Sequence, residues 1–354
     1  MMPELAPLAL TAVTGAMFAL PLAPALRELR ARKDAAPIPT QQHDGRITNF
    51  ADSFRKHIQP RLPELRDCVA NGEVREIRTA DGQHAVLVGC AGTHHLSSTL
   101  HGARLDALVL CGKRIVLGDG MVFTGDLYAA EHLFSGEDNI MRAVLGERNI
   151  FLAERSRVMR WLHAEDSAYI GRDCTVHGRL SAGRAVYLWP GCTFERVHAP
   201  RVACVWGDAG FPTARTTVVS NRSRLDTPIR RWRVSGDFQL QPGETLAGNI
   251  VGDGEIRIHR DCRLQGAIKS HGNTVISSGA EVDGSVVSIA NVDISGECFV
   301  RGPVLAEGEI FIGAGAQIGA PNMSTTVSAR RIRIAPGALI HGTVWARESG
   351  RTEL

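Results

Sequence analysis

An internal period of 18 residues in the carboxyl-terminal third constrains this chain more than any other feature. An aliphatic residue is followed by small or apolar residues at +4 and +6, glycine at +8 and another aliphatic at +10. The pattern reads Ile258, Cys262, Leu264, Gly266, Ile268, then Ile276, Ala280, Val282, Gly284, Val286, then Ile294, Cys298, Val300, Gly302, Val304. Leu240, Leu246, Gly248 and Ile250 form an earlier copy in which Glu244 breaks the +4 slot. After Ile312 comes a coil with four extra residues, and Ile334, Ala338, Ile340, Gly342, Val344 restores the pattern. The +12 slot holds Gly252, Ser270, Ser288, Ala306 and Ser324; it is never aliphatic, and it is expected to tolerate a charge.

A repeat of this length is one supersecondary unit that cannot bury its apolar side alone, so neighbours must stack. Side chains alternate along a strand, so +4, +6 and +10 can share the inward side of short strands, with glycine at the bend between them. The chain is therefore expected to be all-β, with a parallel β-helix (solenoid) of ~18-residue coils over 233–345. A rougher set lies upstream: Leu117, Met121, Phe123, Gly125, Leu127, and Ile170, Cys174, Val176, Gly178, Leu180. It predicts an irregular solenoid over 84–198, interrupted from Glu131 to Glu147 by a segment for which a helix is the expected form. Between the two lies a basic insertion, 199–232, with Arg215, Arg222, Arg224, Arg230 and Arg231.

Composition narrows the function classes. Forty basic and 37 acidic residues give a net charge of only +3, too even for bulk nucleic-acid binding. The eight cysteines contain no Cys-x-x-Cys pair, which excludes a zinc ribbon or thioredoxin-type site. Cys174, Cys192, Cys262 and Cys298 occupy the +4 slot, where Ala280, Ala316 and Ala338 stand in other coils, so they read as small core hydrophobes. His94 and His95 are adjacent and would face opposite ways in a strand. His259, His271 and His341 fall at different coil offsets, as solvated surface residues would. No P-loop, dinucleotide fingerprint, nucleophile elbow or His-Glu-x-x-His helix is present, so no catalytic, cofactor or metal residues are assigned.

At the other end, Leu5 to Leu26 carries no charged side chain, while Arg27, Arg30, Arg32 and Lys33 follow it. This length and flank asymmetry predict a transmembrane helix in 1–34, single-pass in a bacterial inner membrane, with the bulk of the chain cytoplasmic. Residues 35–83 read as a linker and an amphipathic helix capped by Asp44, with Ile47, Phe50, Phe54 and Ile58 on one face and Pro60 and Pro63 as its stop. The helix is expected to cap an exposed solenoid core.

Eighteen is also three times six, the period of the hexapeptide acyltransferases, whose left-handed β-helix needs aliphatics at 0, +6 and +12. The empty +12 slot argues against that alternative, an acyl-coenzyme A enzyme with a loop histidine as base.

The repeated V/I-x-x-x-A-x-V-x-G-x-V units, best seen in SSGAEVDGSVV and APGALIHGTVWA, resemble the bactofilins, polymer-forming cytoskeletal proteins of bacteria. The resemblance covers about 240 to 345. It implies a right-handed parallel β-helix, end-to-end assembly without nucleotide or other cofactor, and association with the cytoplasmic face of the membrane. The expected function is a non-enzymatic, membrane-anchored scaffold. Its expected partners are itself or related bactofilin-like subunits, the membrane and cell-envelope or polysaccharide machinery, and no nucleic acid. A polar tail, 346–354, is too short to form a helical cap. The last coil, with Ile332, Ile334, Ile340 and Val344, is therefore expected to be the open self-association edge.

Overall fold

The computed structural model describes residues 10, 13–18, 20, 47–79, 82–90, 92–97, 103–205 and 230–353. Residues 47–354 form one compact unit. Two helices, α1 (Asn49–Ile58) and α2 (Leu62–Asn71), precede coil after coil of parallel strands. Each regular coil has three strands, here called faces C, A and B in chain order.

In the carboxyl-terminal solenoid the sequence period is the strand register. Face B stacks Leu240, Ile258, Ile276, Ile294, Ile312 and Ile334. Face C stacks Leu246, Leu264, Val282, Val300, Ile318 and Ile340. Face A stacks Trp232, Ile250, Ile268, Val286, Val304, Val327 and Val344. The aliphatic members from Ile250 onward are fully buried, so each coil closes the core of the next. The extra residues predicted after Ile312 lie in a loop over 319–324, held by an isolated bridge between Ala320 and Met323.

Two details of the repeat differ from expectation. In the regular coils the +12 slot points inward, although Ser324 in the loop is exposed: Ser270 and Ser288 are buried, and their hydroxyls donate to the carbonyls of Gly254 at 2.8 Å and Gly272 at 2.7 Å. A charge there would be buried, so the expected tolerance is withdrawn. The +8 glycines serve close stacking of backbones. A Cβ at Gly266 would stand 2.1 Å from the carbonyl oxygen of Gly248, and one at Gly284 2.5 Å from that of Gly266.

The amino-terminal solenoid stacks the same three faces. Face C carries Phe123, Met141, Val158, Val176 and Phe194, and face B carries Ile115, Leu133, Ile150, Ala168, Val186 and Val202. No helix interrupts it: Leu133–Phe134 and Ile140–Gly146 are strands. The coil from Leu133 to Ile150 has 17 residues, 150 − 133, and the one-residue deletion hides it from an 18-residue template. The solenoid also runs past 198, with its last strand at Thr193–Cys204.

Its face A is buried on both sides. Leu87, Leu108, Leu110, Leu145 and Trp161 point outward and pack under Ala51, Phe54 and Ile58 of α1 and Leu65 and Cys68 of α2. Phe54 meets Trp161 edge-on at 5.5 Å. The helices thus cover a flank across several coils, whereas the sequence suggested an end cap. Thr48 stands at the N-cap of α1, and Asp44 lies outside the described residues. Pro63 sits in the first turn of α2 and starts that helix, where its missing N–H is harmless.

Residues 10, 13–18 and 20 are helical, and the remainder of the apolar run and Arg27, Arg30, Arg32 and Lys33 lie outside the described residues. Among the described residues no helix is long and apolar enough to cross a membrane.

Candidate assembly site

A stacked solenoid exposes unpaired backbone groups only at its end coils, so those ends are where another chain can add. One end of the carboxyl-terminal solenoid is closed within the chain. Its last strand, Leu339–Thr352, pairs antiparallel with Thr193–Cys204, the last strand of the amino-terminal solenoid. The pairing runs round the whole coil. Arg196 to Ala199 on face A meet Trp345 to Gly342 on face A, Phe194 on face C meets Gly350 on face B, and Val202 on face B meets Ile340 on face C. The exchange of B for C, with A against A, is the pattern of a two-fold contact between like ends.

Side chains reinforce this junction. The Thr352 amide donates to the Cys192 carbonyl at 2.9 Å, and the Thr352 hydroxyl donates to the Trp189 carbonyl at 2.7 Å. His198 Nδ1 lies 2.9 Å from the Thr343 hydroxyl, and His341 Nδ1 lies 3.0 Å from the Pro200 carbonyl. The Arg196 guanidinium lies over Trp345, 5.1 Å from the ring centre. Burial pushes the pKa of both histidines below the ordinary imidazole value, so the neutral forms fit here.

The expected open edge is therefore occupied. Ile340 sits between Ile318 and Val202, and Val344 sits between Val327 and Val197. Ile332 and Ile334 lie one coil further in, in register with Gly350 and Thr352. The supposed polar tail supplies that covering strand, with Ala346 and Thr352 buried. The sequence signal was its alternation, in which Ala346 and Thr352 alternate with exposed Arg347 and Arg351.

The other end of the same solenoid is different. Arg231–Val234 pairs only with Asn249–Gly252, Phe238–Leu240 only with Ile256–Ile258, and Thr245–Ala247 only with Arg263–Gln265, among the described residues. Among the described residues, all three faces of the coil 231–247 thus present a free strand edge. Val234, Phe238 and Leu246 pack on the core yet stay partly exposed. Arg230, Arg231 and Arg233 line face A here, with the Arg230 guanidinium 3.9 Å above the Trp232 ring. At the remaining end, Val74–Arg78 folds back antiparallel on His84–Val88 and covers face A of the first coil.

The other sequence candidates form no site. Cys174, Cys192, Cys262 and Cys298 are buried thiols that donate to backbone carbonyls, and burial pushes Cys174 up to about 12. His94 lies 3.2 Å from Cys90 Sγ in the strand Thr93–Leu96. His259 and His271 contact Gln239 and Asp253 at the surface, whereas His341 is buried at the junction, contrary to expectation. No group of three or more His, Cys, Asp or Glu is placed to hold a metal among the described residues. A cleft of about 380 Å³ beside α2 is lined by Leu65, Arg66, Lys113 and Tyr128 and carries no nucleophile–base pair.

No curated protein and no solved structure matches the chain. Residues 239–345, the stacked coils between the open end and the junction, match the family model of the bactofilins, described as polymer-forming cytoskeletal.

Proposed function

We propose that this protein is a non-enzymatic, bactofilin-like scaffold that joins itself or a related subunit through an open β-helix end, and that this end is the coil 231–247. The observation that carries the reading is the three-face free edge on the solenoid that matches a polymer-forming family. Such an edge offers a row of backbone donors and acceptors already held in strand geometry, so a second coil can add without reorganisation.

Attachment to a membrane is part of the proposal. The apolar run 5–26 and its following arginines support it, as do the exposed helical side chains of Leu10, Met17 and Phe18. Held in a plane, subunits would meet at raised effective concentration. Envelope or polysaccharide machinery would then be the cargo such a scaffold positions.

The test is size-exclusion chromatography and electron microscopy of the full chain, alone and mixed with a filament-forming bactofilin. Oligomers or co-filaments that disappear in Phe238→Lys, with circular dichroism unchanged, support the proposal. A chain that stays monomeric in both settings, and leaves the filaments unchanged, overturns it.

A further inference from the structure

We infer that the coil 231–247 takes the end coil of a second β-solenoid with an acidic face A rather than another copy of this chain, and that this chain ends the stack it joins. The inference rests on the assembly reading above and narrows it.

The internal junction shows how two coil ends of this cross-section meet: antiparallel, with face A against face A and faces B and C exchanged. At the open end, face A is Arg231–Val234. Trp232 and Val234 are in register with the inward Ile250 and Gly252, and Arg231 and Arg233 point out. Inward residues must oppose inward residues, or the core alternation is lost. Only two central registers satisfy that against a second copy. One sets Arg233 against Arg233, and the other sets Arg231 against Arg233. Either places like charges directly opposite, which destabilises a strand pair, and arginine on an edge is a recognised guard against self-pairing. The closed junction has no such conflict, because Arg196 there faces Trp345. Faces B and C of the open coil carry Gln239, Thr245 and Ala247 outward and are neutral. Face A therefore decides the partner, and carboxylates at its outward positions convert the repulsion into ion pairs.

The second half of the inference follows from the ends that are closed. The junction occupies the far end of the bactofilin-like solenoid, and the hairpin Val74–Val88 occupies face A of the other solenoid's first coil. Only 231–247 offers all three faces among the described residues, so one contact leaves no equivalent second site.

The full chain supplies its own probe. Arg231→Glu/Arg233→Glu presents the acidic edge on a coil of the same shape, and Arg231→Gln/Arg233→Gln removes the charge. By sedimentation velocity, wild type alone and the Glu variant alone are expected to remain monomers. Their mixture is expected to form a 1:1 pair, at least roughly tenfold tighter than either self-pair and weakening with salt. The Gln variant is expected to dimerise with itself. Circular dichroism checks that each variant folds. Wild type that dimerises as tightly as the mixture overturns the charge selection but leaves the assembly reading standing. Mixtures that grow beyond two chains overturn the claim that the chain ends a stack. No association of any combination, the Gln variant included, overturns the docking surface and the assembly reading together.

Discussion

The two solenoids use one coil plan and dress it differently. Around Ile268–Ser270 or Val292–Ile294, strands of three residues bury two side chains and expose the one between. In the amino-terminal solenoid, Leu108–Cys111 is buried at every position because α1 and α2 cover its outer side. The first kind of strand reads as an alternation and the second as a continuous apolar run. The comparison teaches that a period survives when only the inner side is packed. It blurs when the outer side acquires a second core, because that packing selects residues for a different reason.

The largest effect is expected from a charge buried between coils of the carboxyl-terminal solenoid. Ile276→Asp and Val282→Asp are expected to unfold the carboxyl-terminal coils, at a loss above about 4 kcal/mol in thermal or urea melts. Ser288→Asp is expected to act in the same direction, because its hydroxyl occupies a buried site bonded to Gly272. A wild-type melt for Ser288→Asp would show that the +12 slot faces solvent after all.

A second perturbation separates the outer core from the inner one. Trp161→Ala removes a nearly buried ring that packs on Phe54 and should destabilise the helix-covered flank by about 3–5 kcal/mol. Hydrogen exchange should rise over 49–71 and stay unchanged over 256–318. Equal loosening of both regions would mean that the solenoids unfold as a single unit and that the contrast has no energetic meaning.

Acid probes the seam between them. His198 and His341 have pKa values lowered by burial, so the unfolded chain binds protons more readily than the folded one. Their contribution is complete above the ordinary histidine value of about 6.5 and is lost as pH falls through the lower folded values. Exchange at 193–204 and 339–352 should therefore increase below about pH 6.5, and the increase should flatten in His198→Gln/His341→Gln. The smallest effect is expected at Arg55, which bridges α1 to Glu147 at 2.9 Å and is partly exposed. Arg55→Ala should cost about 1 kcal/mol or less, read from the melt of the amino-terminal solenoid.

How much was legible follows from these packing differences. The ladders through Ile276 and Val282 were readable because stacking in register requires equal coil lengths, and equal lengths appear as a period. The inward positions Ile256, Thr274, Val292 and Ile310 recur at 18 as well, and a template that included them would have completed face B. Ser270 and Ser288 misled because a hydroxyl bonded to a carbonyl inside a corner has the same sequence signature as one in water. The strands at 133–146 were missed because a 17-residue coil shifts every later position by one.

The sequence alone determined the coil, its length and which side chains line it, because these depend on neighbours one period apart. It also determined the excess of arginine at 230–233 that marks one end of the stack. Only the tertiary structure decided which end is closed by the rest of the chain. Leu339–Thr352 and Thr193–Cys204 are far apart in sequence, and each alone reads as an ordinary edge strand. Their antiparallel pairing depends on two complete solenoids presenting like ends to one another. That is a relation between surfaces, which no periodicity along the chain encodes.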